Sequence, residues 1–284
     1  MFKPEGKNVY CYDVNYLYPF FMKEYPMPVG TPIYFEGNIK LVNPLAFGIF
    51  YCKIIIPTYL HHPIIQTHVK VNNNIRTISP NGMWYDWINS LEIDNAIKLG
   101  YKFEIIKGYT FDKGYPFKSF INDLYQIRLT YQKTDLMNYI AKILMNSLYG
   151  RFGMNDNFNS ILILNEFELK QIENKKEWSI IDILPIDKKF IVQFKKSFTQ
   201  NLNTLLNNNY ETHNINIAIA STITAGARIY MSKFKNNNDY NLFYTDTDSI
   251  YIDKPLNNDL VNPLELGKLK LEYIANRAIF LAPK

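Results

Sequence analysis

The stretch FYTDTDSIYI, Phe243 to Ile252, sets two aspartates, Asp246 and Asp248, among aromatic and branched residues of the kind a half-buried strand carries. No Lys or Arg lies inside the run. Taking an unpaired carboxylate out of water costs on the order of several kcal/mol. Two readings follow. Residues two apart on a strand face the same way, so both carboxylates could aim at one site; a bend between them would change that but leave both near a strand end. Held about 4 Å apart they would repel by roughly 4 kcal/mol at an effective dielectric of about 20, and a divalent cation reverses that sign. Oxygen ligands without His or Cys favour Mg²⁺, with Mn²⁺ as the alternative, over zinc or copper. The second reading is a hairpin turn whose Asp and Thr side chains make local hydrogen bonds.

Working outward, YCYDVNYLYP (Tyr10 to Pro19) puts Asp13 after a similar strand and before a helix. Asp13 and the main-chain carbonyl of Val14 are candidate metal ligands; the competing role is a helix cap by Asp13 or Asn15. In KILMNSLYGRFG (Lys142 to Gly153), Lys142, Asn146 and Tyr149 fall at i, i+4 and i+7, one helix face. A cation, an amide and a ring on one face suit a nucleotide, Lys142 toward phosphate and Tyr149 toward a base. Arg128, on an earlier helical arm, offers a second cation. An exposed amphipathic face is the alternative.

The periodicities predict strands over 9–14, 47–56, 75–79 and 101–109, and a strand pair over 242–253 around TDTD. Helices are predicted over 17–24, 86–99 and 214–234, with further strands over 267–281. A helical hairpin is predicted over 118–149, interrupted near Asp135, which can cap its second arm, and ended by Gly150 and Gly153. The stretch 161–209 mixes strands, a short helix and Lys/Asn-rich loops, and reads as an insertion. Strands from distant parts of the chain with helices between them predict an α+β fold.

Composition narrows the class without naming it. The 284 residues, 47% hydrophobic, suffice for one large domain or two smaller ones. A net charge of +5 suits a polyanionic partner but does not select one. The two cysteines, Cys11 and Cys52, show neither metal spacing nor a disulfide framework and read as buried thiols of a reducing compartment. No run approaches a membrane span of about 20 residues, and no signal-peptide pattern opens the chain. A soluble intracellular protein without a membrane partner is expected.

Together and in this order, DVNYLYP, KILMNSLYG and YTDTDS resemble the polymerase motifs of family B DNA polymerases, DxxSLYP, KxxxNSxYG and YxDTDS. The intervals from Pro19 to Lys142 and from Gly150 to Tyr244 are too long for plain connections. They are similar to the two insertions of the protein-primed branch found in linear plasmids, phages and viruses. MKEYPMPVG, ITAGARIYM, GKLKLE and FLAPK are similar to the same branch.

The resemblance implies a polymerase palm, an antiparallel sheet with packed helices, carrying a helical-hairpin fingers subdomain and two insertions. The expected segments are 1–30 (palm, first metal motif), 31–115 (first insertion and palm), 116–153 (fingers), 154–210 (second insertion) and 211–284 (palm, second metal motif). Exonuclease and thumb are expected to be absent, as in a fragment. The implied activity is template-directed addition of dNTPs to a primer 3′-hydroxyl, or to a hydroxyl of a terminal priming protein, with two Mg²⁺ ions. Asp13 and Asp248 match the metal-binding carboxylates, with Asp246 as a further acidic member and Val14 offering its carbonyl. Tyr18 matches the tyrosine under the incoming sugar. Arg128 and Lys142 match triphosphate-binding cations, and Asn146 and Tyr149 nucleotide contacts. Gly150, Tyr244, Thr247, Ser249 and Lys284 match DNA contacts. Tyr16 stands where the family usually has Ser, and Gly226 where an aromatic is common. A catalytically inactive remnant that binds DNA or a partner is the alternative; a reverse transcriptase or RNA polymerase fits the Asp-Thr-Asp spacing less well. A mitochondrial linear plasmid, or a phage- or virus-infected cytoplasm, is the expected setting.

Overall fold

The computed structural model describes residues 3–72, 74–154, 160–174, 178–196 and 215–281. The chain divides into two compact units, Met1–Phe152 with Asn216–Lys284, and Gly153–Ile215.

The TDTD stretch is a hairpin at the edge of the first sheet of the larger unit. Its strands are β1 (Glu5–Val14), β11 (Leu242–Asp246), β12 (Ser249–Ile252) and β13 (Leu269–Ile279), in the antiparallel order β11-β12-β1-β13. Alternation along β1 and β12 buries Tyr12, Val14, Ile250 and Ile252 on one face. There they pack with Leu17 and Phe21 of α1 (Leu17–Glu24) and with Ala227, Met231 and Phe234 of a long helix over Ile217–Lys235. Each such fully buried side chain contributes about 1.5–3 kcal/mol. Gly226 on the long helix fits this packing, because a Cβ there would run into the Phe21 ring.

The second sheet follows the order β2-β7-β3-β6, with β2 (Met27–Glu36), β3 (Gly48–Ile55), β6 (Met83–Asn89) and β7 (Lys102–Gly114). Phe50, Cys52, Ile54, Ile88 and Ile105 turn to its own core, against Ile93 and Ala96 of the helix Ser90–Ile97. The short helix α2 (Ile39–Val42) precedes β3, and β4 (Thr67–Val71) pairs with β5 (Asn74–Ile78). The helix Ser90–Ile97 is α3. Then α4 (Lys118–Thr130) and α5 (Leu136–Phe152) form the hairpin, and Ile121 and Met145 join Met22 and Ile223 in a third core. The Asp135 carboxylate accepts the Met137 N–H at 2.7 Å, capping the second arm.

In the smaller unit, β8 (Ser160–Leu164), β9 (Trp178–Ile186) and β10 (Lys189–Lys196) pair in the order β8-β10-β9, with α6 (Glu166–Glu173) between β8 and β9. Leu164, Leu169, Ile172, Val192 and Phe194 form its own core. Within the larger unit the chain leaves at Phe152 and returns at Asn216, whose N–H donates to the Phe152 carbonyl at 3.0 Å. The long helix Ile217–Lys235 that follows is α7.

The α+β architecture agrees with the reading of the sequence, while several element limits differ. Residues 86–89 belong to β6 rather than to a helix. Trp87 and its neighbours pair with β3, and the Asn89 side chain accepts the Leu91 N–H at 3.1 Å, so α3 begins only after that cap. β2 went unpredicted because Pro28 and Pro32 remove ladder donors; the structure tolerates them on an edge strand with a register shift. β4 is also additional. α5 runs through Gly150 to Phe152, since Gly weakens a helix without forbidding it. The strands predicted over 267–281 are a single strand, β13 (Leu269–Ile279). The predicted insertion's residues 197–209 and the predicted start of α7 at Asn214 lie outside the described residues. Cys11 and Cys52 are free and buried.

Candidate active site

Asp13 lies at the end of a central strand. It pairs in register with Ser249 on one side and Lys270 on the other. On β12 the adjoining turn is Thr247-Asp248, with Thr247 in the left-handed region at φ 46°. The Val14 N–H donates to the Asp248 carbonyl at 2.9 Å, which clips this turn to β1. Asp13 and Asp248 thereby line one cavity of about 580 Å³, within the usual range for a small-molecule site. The cap alternative for Asp13 and Asn15 does not hold. α1 has no side-chain cap bond, and the Asn15 amide donates instead to the Asn262 and Glu265 carbonyls.

The electrostatics of this corner are unfavourable to negative charge. Burial, and then the neighbouring Asp248 and Glu272 carboxylates, push the Asp13 pKa up to about 6 against the opposing pull of Lys270. The Asp248 and Glu272 carboxylates face Asp13 beside the Lys270 ammonium, and carboxylate oxygens gathered in this way suit a hard cation. Among the described residues no cluster of three or more His, Cys, Asp or Glu side chains forms a metal cage. Mg²⁺ is commonly held by one or two carboxylates plus phosphate oxygens and water. The residues present fit such an ion, which Asp13 and Asp248 would hold, and Val14 lines the same cavity.

A stability prediction follows from the raised pKa. The folded state holds the Asp13 proton more tightly than the unfolded chain, so above pH 6 the ionised carboxylate costs about 2–3 kcal/mol of stability. That cost fades as pH falls from about 6 and is gone below the unfolded value near 4. Asp13→Asn should thus raise the denaturant midpoint of metal-free protein at pH 7.5, with the gain vanishing near pH 3.5. Equal midpoints at pH 7.5 would contradict it.

Asp246 ends β11, and the chain bends before Asp248, the case in which the two carboxylates no longer share a face. Asp246 does not line the cavity; its carboxylate accepts the Thr247 hydroxyl at 3.2 Å, and its carbonyl accepts the Ser249 hydroxyl at 3.1 Å.

The helical hairpin supplies the opposite wall. Lys142, Asn146 and Tyr149 of α5 all line the cavity, joined by Arg128 of α4. Lys142 has no ion-pair partner among the described residues, so its charge is available to a ligand. Tyr18 of α1 stacks on Tyr149, with ring centroids 4.0 Å apart and planes at 28°. Burial, and then the adjacent Tyr149, push the Tyr18 hydroxyl up to about 12, so it stays protonated at any working pH. Gly150, Tyr244, Thr247 and Ser249 do not line the cavity, and Lys284 lies outside the described residues.

Sequence reasoning missed three contributors. Lys270 and Glu272 line the cavity and pair with each other, Nζ to Oε1 at 2.7 Å. Their signal was the polar alternation of LKLE, which puts both on one strand face. Asn138 is buried, and its amide donates to the Arg128 and Tyr131 carbonyls at 2.9 and 2.8 Å, closing the end of α4. A lone Asn near a helix start carries no signal for that.

The family model described as DNA polymerase type B, organellar and viral, matches residues 1–241. A protein of Neurospora intermedia named "Probable DNA polymerase" is 38% identical, over 100% of this chain and 29% of its own length. One of the same name from Ascobolus immersus is 36% identical, over 100% and 23%. A DNA polymerase of Streptococcus phage Cp-1 is 25% identical, over 96% and 44%. This chain therefore spans less than half the length of each of these relatives. Among solved structures, Phi29 DNA polymerase in complex with primer-template DNA and incoming nucleotide shares the fold. Its TM-score is 0.71 at 24% identity, over 99% of this chain and 45% of that one.

Proposed function

The chain belongs to the organellar and viral type B DNA polymerases, and from that membership we propose that it is the nucleotidyl-transfer core of a protein-primed DNA polymerase. Its substrates are dNTPs on a DNA template, added to a primer 3′-hydroxyl or to a hydroxyl of a terminal protein. The observation that carries this reading is the convergence of Asp13 and Asp248 with Lys142 and Arg128 around one cavity.

In this reading Lys142 and Arg128 bind the triphosphate, and the hairpin that carries them brings it to the carboxylate corner. Tyr18, stacked on Tyr149, is assigned as the floor under the deoxyribose that selects against a 2′-hydroxyl. Asn146 orients the nucleotide from the same helix face. Two Mg²⁺ ions, held by Asp13 and Asp248, supply charge neutralisation and activation of the attacking hydroxyl when bound. Asp246, outside the cavity, acts at most through the turn that presents Asp248. Gly150, Tyr244, Thr247, Ser249 and Lys284 are assigned to DNA. A mitochondrial plasmid or an infected-cell cytoplasm is the proposed setting, in line with the fungal and phage relatives. No helix of the described residues is long and apolar enough to cross a membrane.

Titration calorimetry with dATP, with and without Mg²⁺, tests the reading against the inactive remnant. Metal-dependent binding is expected, and Lys142→Ala should weaken it about tenfold, the scale of one charge-assisted phosphate contact. Absence of any metal-dependent binding would leave the remnant as the better description.

A further inference from the structure

We propose that Tyr16 is a positioning residue that holds the Arg128 guanidinium in place for the triphosphate, without cancelling its charge. Tyr16 breaks two local rules. Its backbone is left-handed, at φ 53° and ψ 55°, a region that bulky residues avoid. It also occupies the N-cap of α1 with no side-chain cap bond, where Ser, Asn or Asp would serve better. Two local penalties at one position imply a compensating gain elsewhere.

The gain lies across the cavity. The Arg128 guanidinium carbon sits 4.9 Å from the centroid of the Tyr16 ring. Tyr125, one turn before Arg128 on α4, meets the same ring edge-on at 6.3 Å and 71°. On its other side Arg128 Nη1 donates to the Asn138 carbonyl at 2.8 Å. Among the described residues Arg128 has no carboxylate partner, and its remaining N–H donors have no protein acceptor. A carboxylate partner would fix the guanidinium but neutralise it. The face of a ring attracts the cation electrostatically and leaves its N–H edge free for an anion. Tyr16, Tyr125 and Arg128 all line the cavity. The inference rests on the nucleotide reading of that cavity, and it predicts an effect on phosphate rather than on base or sugar.

The test is calorimetry of the full chain with tripolyphosphate and with Mg·dATP, for the parent and three variants. Tyr16→Leu removes the ring at similar volume and should weaken both ligands about fivefold. Tyr16→Phe should rescue binding to within about twofold of the parent. Tyr16→Asn suits a left-handed backbone and an N-cap but loses ring packing against the third core, so its unfolding midpoint should exceed that of the Leu variant while binding weakens as Leu does. A merely structural role would not separate those two readouts. In an Arg128→Met background, Tyr16→Leu should cause no further loss. Parent-like tripolyphosphate binding by the Leu and Asn variants overturns the clamp while the nucleotide reading stands. A parent that binds neither ligand overturns both.

Discussion

Asp13→Asn and Asp248→Asn are each expected to lower Mg²⁺-dependent dNTP incorporation on a primed DNA template by at least about 10³-fold, the scale of losing a main electrostatic stabiliser of phosphoryl transfer. The assay belongs in a protein carrying this chain within the full length of its relatives, since the chain spans 29% of the Neurospora protein. The two side chains line one cavity, and Asp248 helps raise the Asp13 pKa to about 6, so each lies within the other's field. Loss of activity would not be loss of fold, because the Asn variant at position 13 should be more stable than the parent without metal. Stability gained and activity lost at the same residue is the signature of a site that keeps like charges together for function. Asp246→Asn should cost far less, as its carboxylate is engaged with Thr247 outside the cavity. Incorporation at parental rates by both the Asp13 and Asp248 variants would end the proposed mechanism.

The second large effect is on stability. Glu92 of α3 is buried, and both its oxygens accept from Arg228 of α7, Oε1 from Nε at 2.6 Å and Oε2 from Nη2 at 2.7 Å. The Glu92 and Arg228 side chains are 8% and 32% exposed, so the arginine keeps some solvent screening. The pair sits in a polar seam between the two helices. Asn89 donates to the Thr222 hydroxyl at 2.9 Å, and Asn95 to the Ser232 hydroxyl at 3.2 Å. Glu92→Leu removes one partner and strands a half-buried guanidinium, a cost of about 2–3 kcal/mol after allowing for that screening. Burial opposes the Arg228 charge, but the bond and charge of Glu92 hold its pKa above the ordinary value. Adding Arg228→Met to Glu92→Leu should recover most of the loss, since paired apolar replacements of a buried ion pair are often neutral. Urea unfolding of parent, single and double variants measures the cycle. A single variant within about 0.5 kcal/mol of the parent would show that the seam contributes little.

Legibility in the sequence followed the range of the interaction that decides each feature. Helix α1 begins and ends where its periodicity predicts, at Leu17 and Glu24, and the Asp135 cap of α5 was readable from one residue. Lys142, Asn146 and Tyr149 share a face because helical spacing alone requires it, and the structure turns that face to the cavity. Trp87 shows the opposite case. Its apolar spacing with Ile88 and Leu91 mimics a helix, and only pairing with Tyr51 on β3 makes it a strand residue. β2 was hidden by its prolines, which disqualify a central strand but not an edge one.

The sequence by itself offered the chemistry the chain carries: oxygen donors at positions 13, 246 and 248, cations at 128 and 142, rings at 18 and 149, and the local periods that place them on strand ends and helix faces. Only the tertiary structure decided which of them meet. Asp248 rather than Asp246 lines the cavity with Asp13 because β11 ends at Asp246 while Asp248 sits in the two-residue turn, which a Val14 hydrogen bond fixes to β1. The same holds for Arg128 over Tyr16 and Glu92 against Arg228. Strand register and helix packing between distant segments are set by the combined burial of many side chains, and no local pattern encodes that sum.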